Sequence, residues 1–135
     1  SYYKIGVRKG DIVTVLMPNT PEAVISIYAL NRIGAVGNIV HPLSAQEEIK
    51  NYLVSCKCRF LLCIDKCVKR IENILEETYL EKIIVADASC SMPKALKFAY
   101  NLKNKYTIPN AETYILWKNF IIKNKGNNNG FSRVN

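Results

Sequence analysis

Four of the five cysteines, Cys56, Cys58, Cys63 and Cys67, crowd into one short stretch, and Cys90 is the fifth. Thiolates at such density are the donors from which tetrahedral zinc sites are made. The run Cys56-Lys57-Cys58-x4-Cys63-x3-Cys67 nevertheless lacks two C-x-x-C knuckles, and Cys63 lies inside the apolar run Arg59–Ile64. A disulfide framework is also a poor fit, because such frameworks spread an even number of cysteines over loops. The thiols read as reduced, small, buried side chains, and no metal is expected.

Two further sets of residues have chemical potential. His41, the only histidine, follows the apolar run Val36–Val40. In an open α/β sheet, ligand crevices form beyond the carboxyl ends of strands. A substrate-side role for His41 is therefore open, as is a loop histidine held by local hydrogen bonds. Farther along, Lys94, Lys97 and Lys103 are interleaved with Phe98, Tyr100, Tyr106, Trp117 and Phe120. Lysines among aromatics suit contact with an anionic membrane surface, for which Lys94, Lys97, Lys103 and Trp117 are the candidates. A solvated basic face is the alternative.

The elements that position these residues follow from two alternating hydrophobic periods. The turn Gly6-Val7-Arg8-Lys9-Gly10-Asp11 feeds Ile12–Met17, a near-continuous apolar run suited to a strand buried on both faces. Pro18 to Glu22 opens a helix running to Ile33 and ending at Gly34, with either Thr20 or Asn19 as its cap. Val36–Val40 is a second strand, and Ser44-Ala45-Gln46-Glu47 reads as a capping box for a second helix. Phe60–Ile64 is a third strand, an amphipathic helix carries Val68, Ile71, Ile74 and Leu75 to about Tyr79, and Lys82–Ala86 is a fourth. Strands alternating with helices through short turns predict an α/β fold. Its core is a parallel sheet with flanking helices, doubly wound in part.

Beyond Asp87 the pattern changes. Pro93–Lys103 reads as a basic amphipathic helix, Tyr114–Trp117 as a strand or the start of a helix, and 124–135 as a polar, flexible tail. The domain reading is thus an α/β sheet unit over 1–93, a basic helical extension of the same domain over 94–123, and that tail. Of the net charge of +8, residues 1–93 carry +1 and residues 94–135 carry +7. A nucleic-acid binder is more often basic along its main elements, so nucleic acid is not an expected partner. No apolar run approaches the ~18 residues of a membrane span, and the N-terminus lacks a secretory pattern. A cytoplasmic setting is expected, with peripheral membrane contact through the lysines as an extension of it.

Several phrases, in order, carry a family resemblance. Gly6-Val7-Arg8-Lys9-Gly10-Asp11-Ile12-Val13 through Pro18-Asn19-Thr20-Pro21-Glu22 resembles the opening of AMP-forming acyl-CoA synthetases, the acyl-adenylate-forming superfamily. Ala29-Leu30-Asn31-Arg32-Ile33-Gly34-Ala35-Val36 is similar to that family's helix ending in a G-A-V turn. His41-Pro42-Leu43-Ser44-Ala45-Gln46-Glu47-Glu48-Ile49 is similar to its N-P-L-x-x-x-E-E phrase, with His41 where relatives commonly have Asn. Ser91-Met92-Pro93 before a Lys-rich helix resembles the fatty-acyl branch. The likeness spans residues 4 to about 105, and its residues are turn, cap and core positions.

The resemblance implies a parent enzyme that joins a carboxylic acid to AMP from Mg-ATP and then passes the acyl group to coenzyme A. That chemistry needs a Gly/Ser/Thr-rich phosphate loop, a carboxylate near Mg²⁺ and a charge-neutralising Lys. The only close glycine pairs are Gly6/Gly10, Gly34/Gly37 and Gly126/Gly130, and neither Lys9 nor Lys82 sits in a catalytic phrase. The expectation is an N-terminal fragment without catalytic residues, binding no cofactor and inactive alone. The remainder of the parent would pack on an exposed apolar face that also invites self-association. A self-contained α/β binding module and a basic membrane or nucleic-acid interaction protein are the alternatives.

Overall fold

The computed structural model describes residues 2–87 and 112–122. A 3-10 turn, Tyr2–Ile5, leads into β1 (Ile12–Leu16), α1 (Pro21–Ile33), β2 (Val36–Ile39), α2 (Gln46–Ser55) and β3 (Phe60–Ile64). Then come α3 (Val68–Ile74), β4 (Lys82–Ala86), β5 (Tyr114–Leu116) and α4 (Trp117–Ile122). All strand pairs are parallel, in the order β2-β1-β3-β4-β5.

Burial follows position in the sheet. β3 is buried along its whole length, and β1 and β4 are buried except at their first residues. These are the three runs whose apolar residues are continuous rather than alternating, as helices on both faces require. The edge strands β2 and β5 are only half covered. Right-handed crossovers place α1 on one face and α2 with α3 on the other, because the chain reverses its direction across the sheet after β2. On the α1 side, the Tyr2 ring meets Phe120 of α4 edge-on at 4.9 Å, and Phe120 stacks on Trp117 at 5.6 Å.

The caps show where local sequence was decisive. Thr20, not Asn19, caps α1: its Oγ1 accepts the Ala23 N–H at 3.4 Å, and Pro21 takes the first helical position. Gly34 closes α1 at φ +77, and the Ala35 N–H reaches back to the Leu30 carbonyl at 3.0 Å. The expected capping box at Ser44 does not form. α2 begins one residue later, after Ala45, with no side-chain cap, because Ser44 is consumed by a turn in which its N–H bonds the His41 carbonyl at 3.0 Å. The third helix also ends early, at Ile74, and continues as the 3-10 turn Leu75–Glu77 closed by Thr78 Oγ1 on the Leu75 carbonyl.

Residues 114–122 combine the two alternatives read from sequence, a strand followed directly by a helix. β5 pairs with β4 in register Ile83↔Tyr114, Ile84↔Ile115, Val85↔Leu116. The sheet therefore continues past residue 93, into the stretch read as a helical extension. The Pro93–Lys103 helix, with Lys94, Lys97 and Lys103, and the 124–135 tail lie outside the described residues.

Candidate functional site

In a sheet of order 2-1-3-4-5, the direction of winding reverses between β1 and β3, which leaves a crevice beyond their carboxyl ends. Among the described residues, three connections border that edge: residues 17–20 after β1, 40–45 after β2 and 65–67 after β3. Thr20 and the first turn of α1 face it from the first connection. Asp65 is buried at the third, and its Oδ1 accepts the Lys66 backbone N–H at 2.9 Å.

Arg70, in the first turn of α3, ties the second connection to the third. Its Nη1 donates to the Ser44 carbonyl at 2.8 Å, and Nη2 donates to the Pro42 carbonyl and to Cys67 Sγ, the latter at 3.2 Å. A guanidinium suits this task, since its planar fork can hold two carbonyls and a thiol at once. Burial pushes the Cys67 thiol up, and the Arg70 charge only partly offsets it. Cys63 is raised more, again by burial first, and then by Cys67 and Asp65. Both sulfurs are therefore thiols at neutral pH, and their part is packing.

His41 lies on this edge, exposed. Its Nδ1 accepts the Leu43 N–H at 3.1 Å. Of the two cations considered from sequence, Lys82 lies at the opposite, amino edge, where its Nζ donates to the Glu112 carbonyl at 3.0 Å. Lys9 is at that edge too, with its side chain against Gly34. Trp117 is only 6 % exposed, with its ring stacked on Phe120, which in turn meets Tyr2 edge-on. Arg70 escaped the sequence reading because its partners are backbone carbonyls far away in sequence.

Among the described residues, the donors along this edge do not make up a site for a Mg-nucleotide triphosphate. A phosphate cradle needs consecutive N–H groups on a glycine-rich bend. Among the described residues the three positive-φ glycines, Gly6, Gly10 and Gly34, all precede strands, at the amino edge and away from the crevice. Among the described residues no three His, Cys, Asp or Glu side chains converge to hold a metal ion. Nor does any described helix have the length and apolarity to cross a membrane.

Comparison with known proteins gives this edge its context. The profile of the AMP-binding enzyme family matches residues 3–116. Acetyl-coenzyme A synthetase of Bdellovibrio bacteriovorus is 28% identical over 96 residues, 71% of this chain and 15% of that protein. 4-Coumarate–CoA ligase 3 of Arabidopsis thaliana is 31% identical over 78 residues, 58% of this chain and 14% of the relative. The crystal structure of a long-chain-fatty-acid–CoA ligase from Archaeoglobus fulgidus superposes with a TM-score of 0.59 at 30% identity, over 62% of this chain and 17% of that one. An anthranilate–CoA ligase in complex with anthranoyl-AMP gives a TM-score of 0.60 at 28% identity, covering 62% and 16%. The chain thus spans about a sixth of the length of these proteins. With the profile matched through the first four strands and into the fifth, the chain belongs to the AMP-binding enzyme family.

Proposed function

We propose that this chain is the N-terminal part of an ATP-dependent acid–CoA ligase that forms an acyl-adenylate and then a thioester, and that these residues alone do not catalyse either step. One observation carries the reading: a family match over residues 3–116 coincides with a crevice edge on which the described residues form no phosphate-holding bend. ATP, Mg²⁺ and coenzyme A are accordingly ligands of the parent, with the phosphate loop and catalytic Lys supplied by further sequence. This chain's share is a rigid parallel sheet and the walls of the crevice, with Arg70 holding the loop that bears His41.

The rest of the parent needs an apolar seat. We place it beside β5, where Tyr3, Leu116 and Ile121 remain exposed. The acid is assigned to the fatty-acyl class on the phrase Ser91-Met92-Pro93 and the lysines that follow it. A cytoplasmic enzyme fits this chemistry. The +7 charge of residues 94–135 supports a second reading, peripheral contact with anionic membranes; flotation with phosphatidylserine vesicles that persists at high salt would count against it.

The decisive experiment is calorimetric titration of the 135-residue chain with Mg-ATP and with a non-hydrolysable fatty acyl-adenylate analogue. No saturable heat is expected from either. Saturable binding in the micromolar range, about −8 kcal/mol, would mean that a complete ligand site exists within these residues and would overturn the reading.

A further inference from the structure

β2 is an edge strand with one row of backbone groups turned away from the sheet. The Val36 N–H bonds the Asp11 carbonyl at 2.8 Å and the Val40 N–H bonds the Val15 carbonyl at 3.0 Å. Alternation along the strand therefore points residues 36, 38 and 40 toward β1, and the N–H and C=O groups of Gly37 and Ile39 outward. Natural edges are commonly blunted by a charge, a proline or a bulge. Val36-Gly37-Asn38-Ile39 has none of these.

The side chains beside this edge are apolar and exposed. Gly37 lies under α1, where an added Cβ would stand 2.6 Å from Ile27 Cδ1, so Gly37 and Ile39 share the α1 face of the strand. Ile39 is 66 % exposed there, and the outer face of α1 adds Val24, Ile25 and Tyr28, the last 70 % exposed. Leu43, beyond the end of β2, is 83 % exposed. An exposed apolar surface of this kind beside an unpaired strand edge is the material from which an interface is made.

We propose that this edge is the seat of a second copy of the chain, paired antiparallel to itself through β2 about a two-fold axis at Asn38. The strand is self-complementary in that register. With Asn38 opposite its copy, the outward-facing Gly37 of one protomer meets the outward-facing Ile39 of the other, and each pair exchanges both backbone hydrogen bonds. The Ile39 side chain then lies across from a glycine, where no opposing side chain competes for space. The α1 faces flank the new junction, and two five-stranded sheets become one. Nothing in this pairing depends on the ligase reading, and it leaves the β5 side free.

Sedimentation velocity and amide hydrogen exchange on the 135-residue chain test it. A dimer is expected at about 100 µM, dissociating on dilution, with slow exchange at the Gly37 and Ile39 amides only in the dimer. Ile39→Lys puts a charge on the edge. Ile39→Pro removes an outward N–H without touching the β1 ladder. Each is expected to weaken dimerisation at least ~tenfold while near-UV circular dichroism stays native; if the proline variant does not fold, the lysine variant alone decides. Tyr79→Ser, an exposed aromatic following the other helical layer, should leave the dimer intact. A wild-type monomer at that concentration would overturn the proposal and leave the edge to the rest of a longer chain. A dimer indifferent to both Ile39 variants, one lost in Tyr79→Ser, or assemblies growing past two would overturn it as well.

Discussion

Cysteine behaviour in this chain is set by depth. Cys58, Cys63 and Cys67 are buried and Cys56 is half-buried. Cys58 is held by polar neighbours, with Sγ 3.1 Å from both Thr14 Oγ1 and the Phe60 carbonyl. Since the thiolate is the reactive form, burial both hides Cys63 and Cys67 and suppresses their ionisation. At pH 8, iodoacetamide should alkylate Cys56 at least ~tenfold faster than Cys63 or Cys67 in the native protein, with the difference erased in urea; peptide mass spectrometry reads the order. Equal native rates would show that the β3 layer opens readily.

Surface charge gives a residue-scale prediction with a sign. Arg59 holds Glu81 through two parallel bonds of 2.9 Å, and that contact lowers the Glu81 carboxyl below its ordinary range. A lowered carboxylate contributes stability above its unfolded pKa and loses it as pH falls through the folded value. Both groups are half exposed, so solvent screening holds the contribution to at most about 1 kcal/mol. Glu81→Gln should therefore be slightly less stable than wild type at pH 7, with the gap narrowing as the pH of the urea melts is lowered below the ordinary carboxylate range. A gap that widens toward acid would contradict the assigned sign.

At the scale of elements, two helices end in the same way with different residues. α1 closes on Gly34 at φ +77, and α2 closes on Lys57 at φ +49, with the Cys58 N–H returning to the Leu53 carbonyl at 3.0 Å. Only glycine adopts this backbone without a steric penalty, about 1 kcal/mol for other residues. Gly34→Ala should destabilise by ~1 kcal/mol or more, as the new Cβ would also stand 2.9 Å from Lys9 Cγ, whereas Lys57→Gly should stabilise by ~0.5–1 kcal/mol. Urea midpoints moving in opposite directions confirm the shared geometry; movement in the same direction refutes it. The G-A-V phrase after α1 was legible because glycine is demanded there. The turn at Lys57 carries no such mark.

For the whole molecule, the open question is what occupies the two edges of the sheet. β2 and β5 are half covered, while the three strands between them are sealed by helices. Under the proposed ligase reading the described sheet supplies one set of walls to the crevice, and no nucleotide heat is expected from it. Leu61, at the centre of the buried β3, is the test of how much of the rest depends on that seal: Leu61→Ala should cost ~2–5 kcal/mol in chemical denaturation. A loss below 1 kcal/mol would show that the layers on the two faces are only loosely packed.

Most of the parallel α/β architecture was determined by the sequence alone, because buried central strands must be continuously apolar and their helices must bury one stripe. Ile12–Leu16, Phe60–Ile64 and Lys82–Ala86 stand out for that reason, as do Pro21 and Gly34, whose backbones allow little else. The ordered turn phrases between them were enough to mark the family. Tertiary structure alone decided the strand order, the pairing of the three-residue β5, the choice of Thr20 over Asn19, the loss of the Ser44 cap and the burial of Trp117. Each of these depends on partners distant in the chain. The same is true of Arg70, whose role exists only once α3 has been laid beside the loop that follows β2.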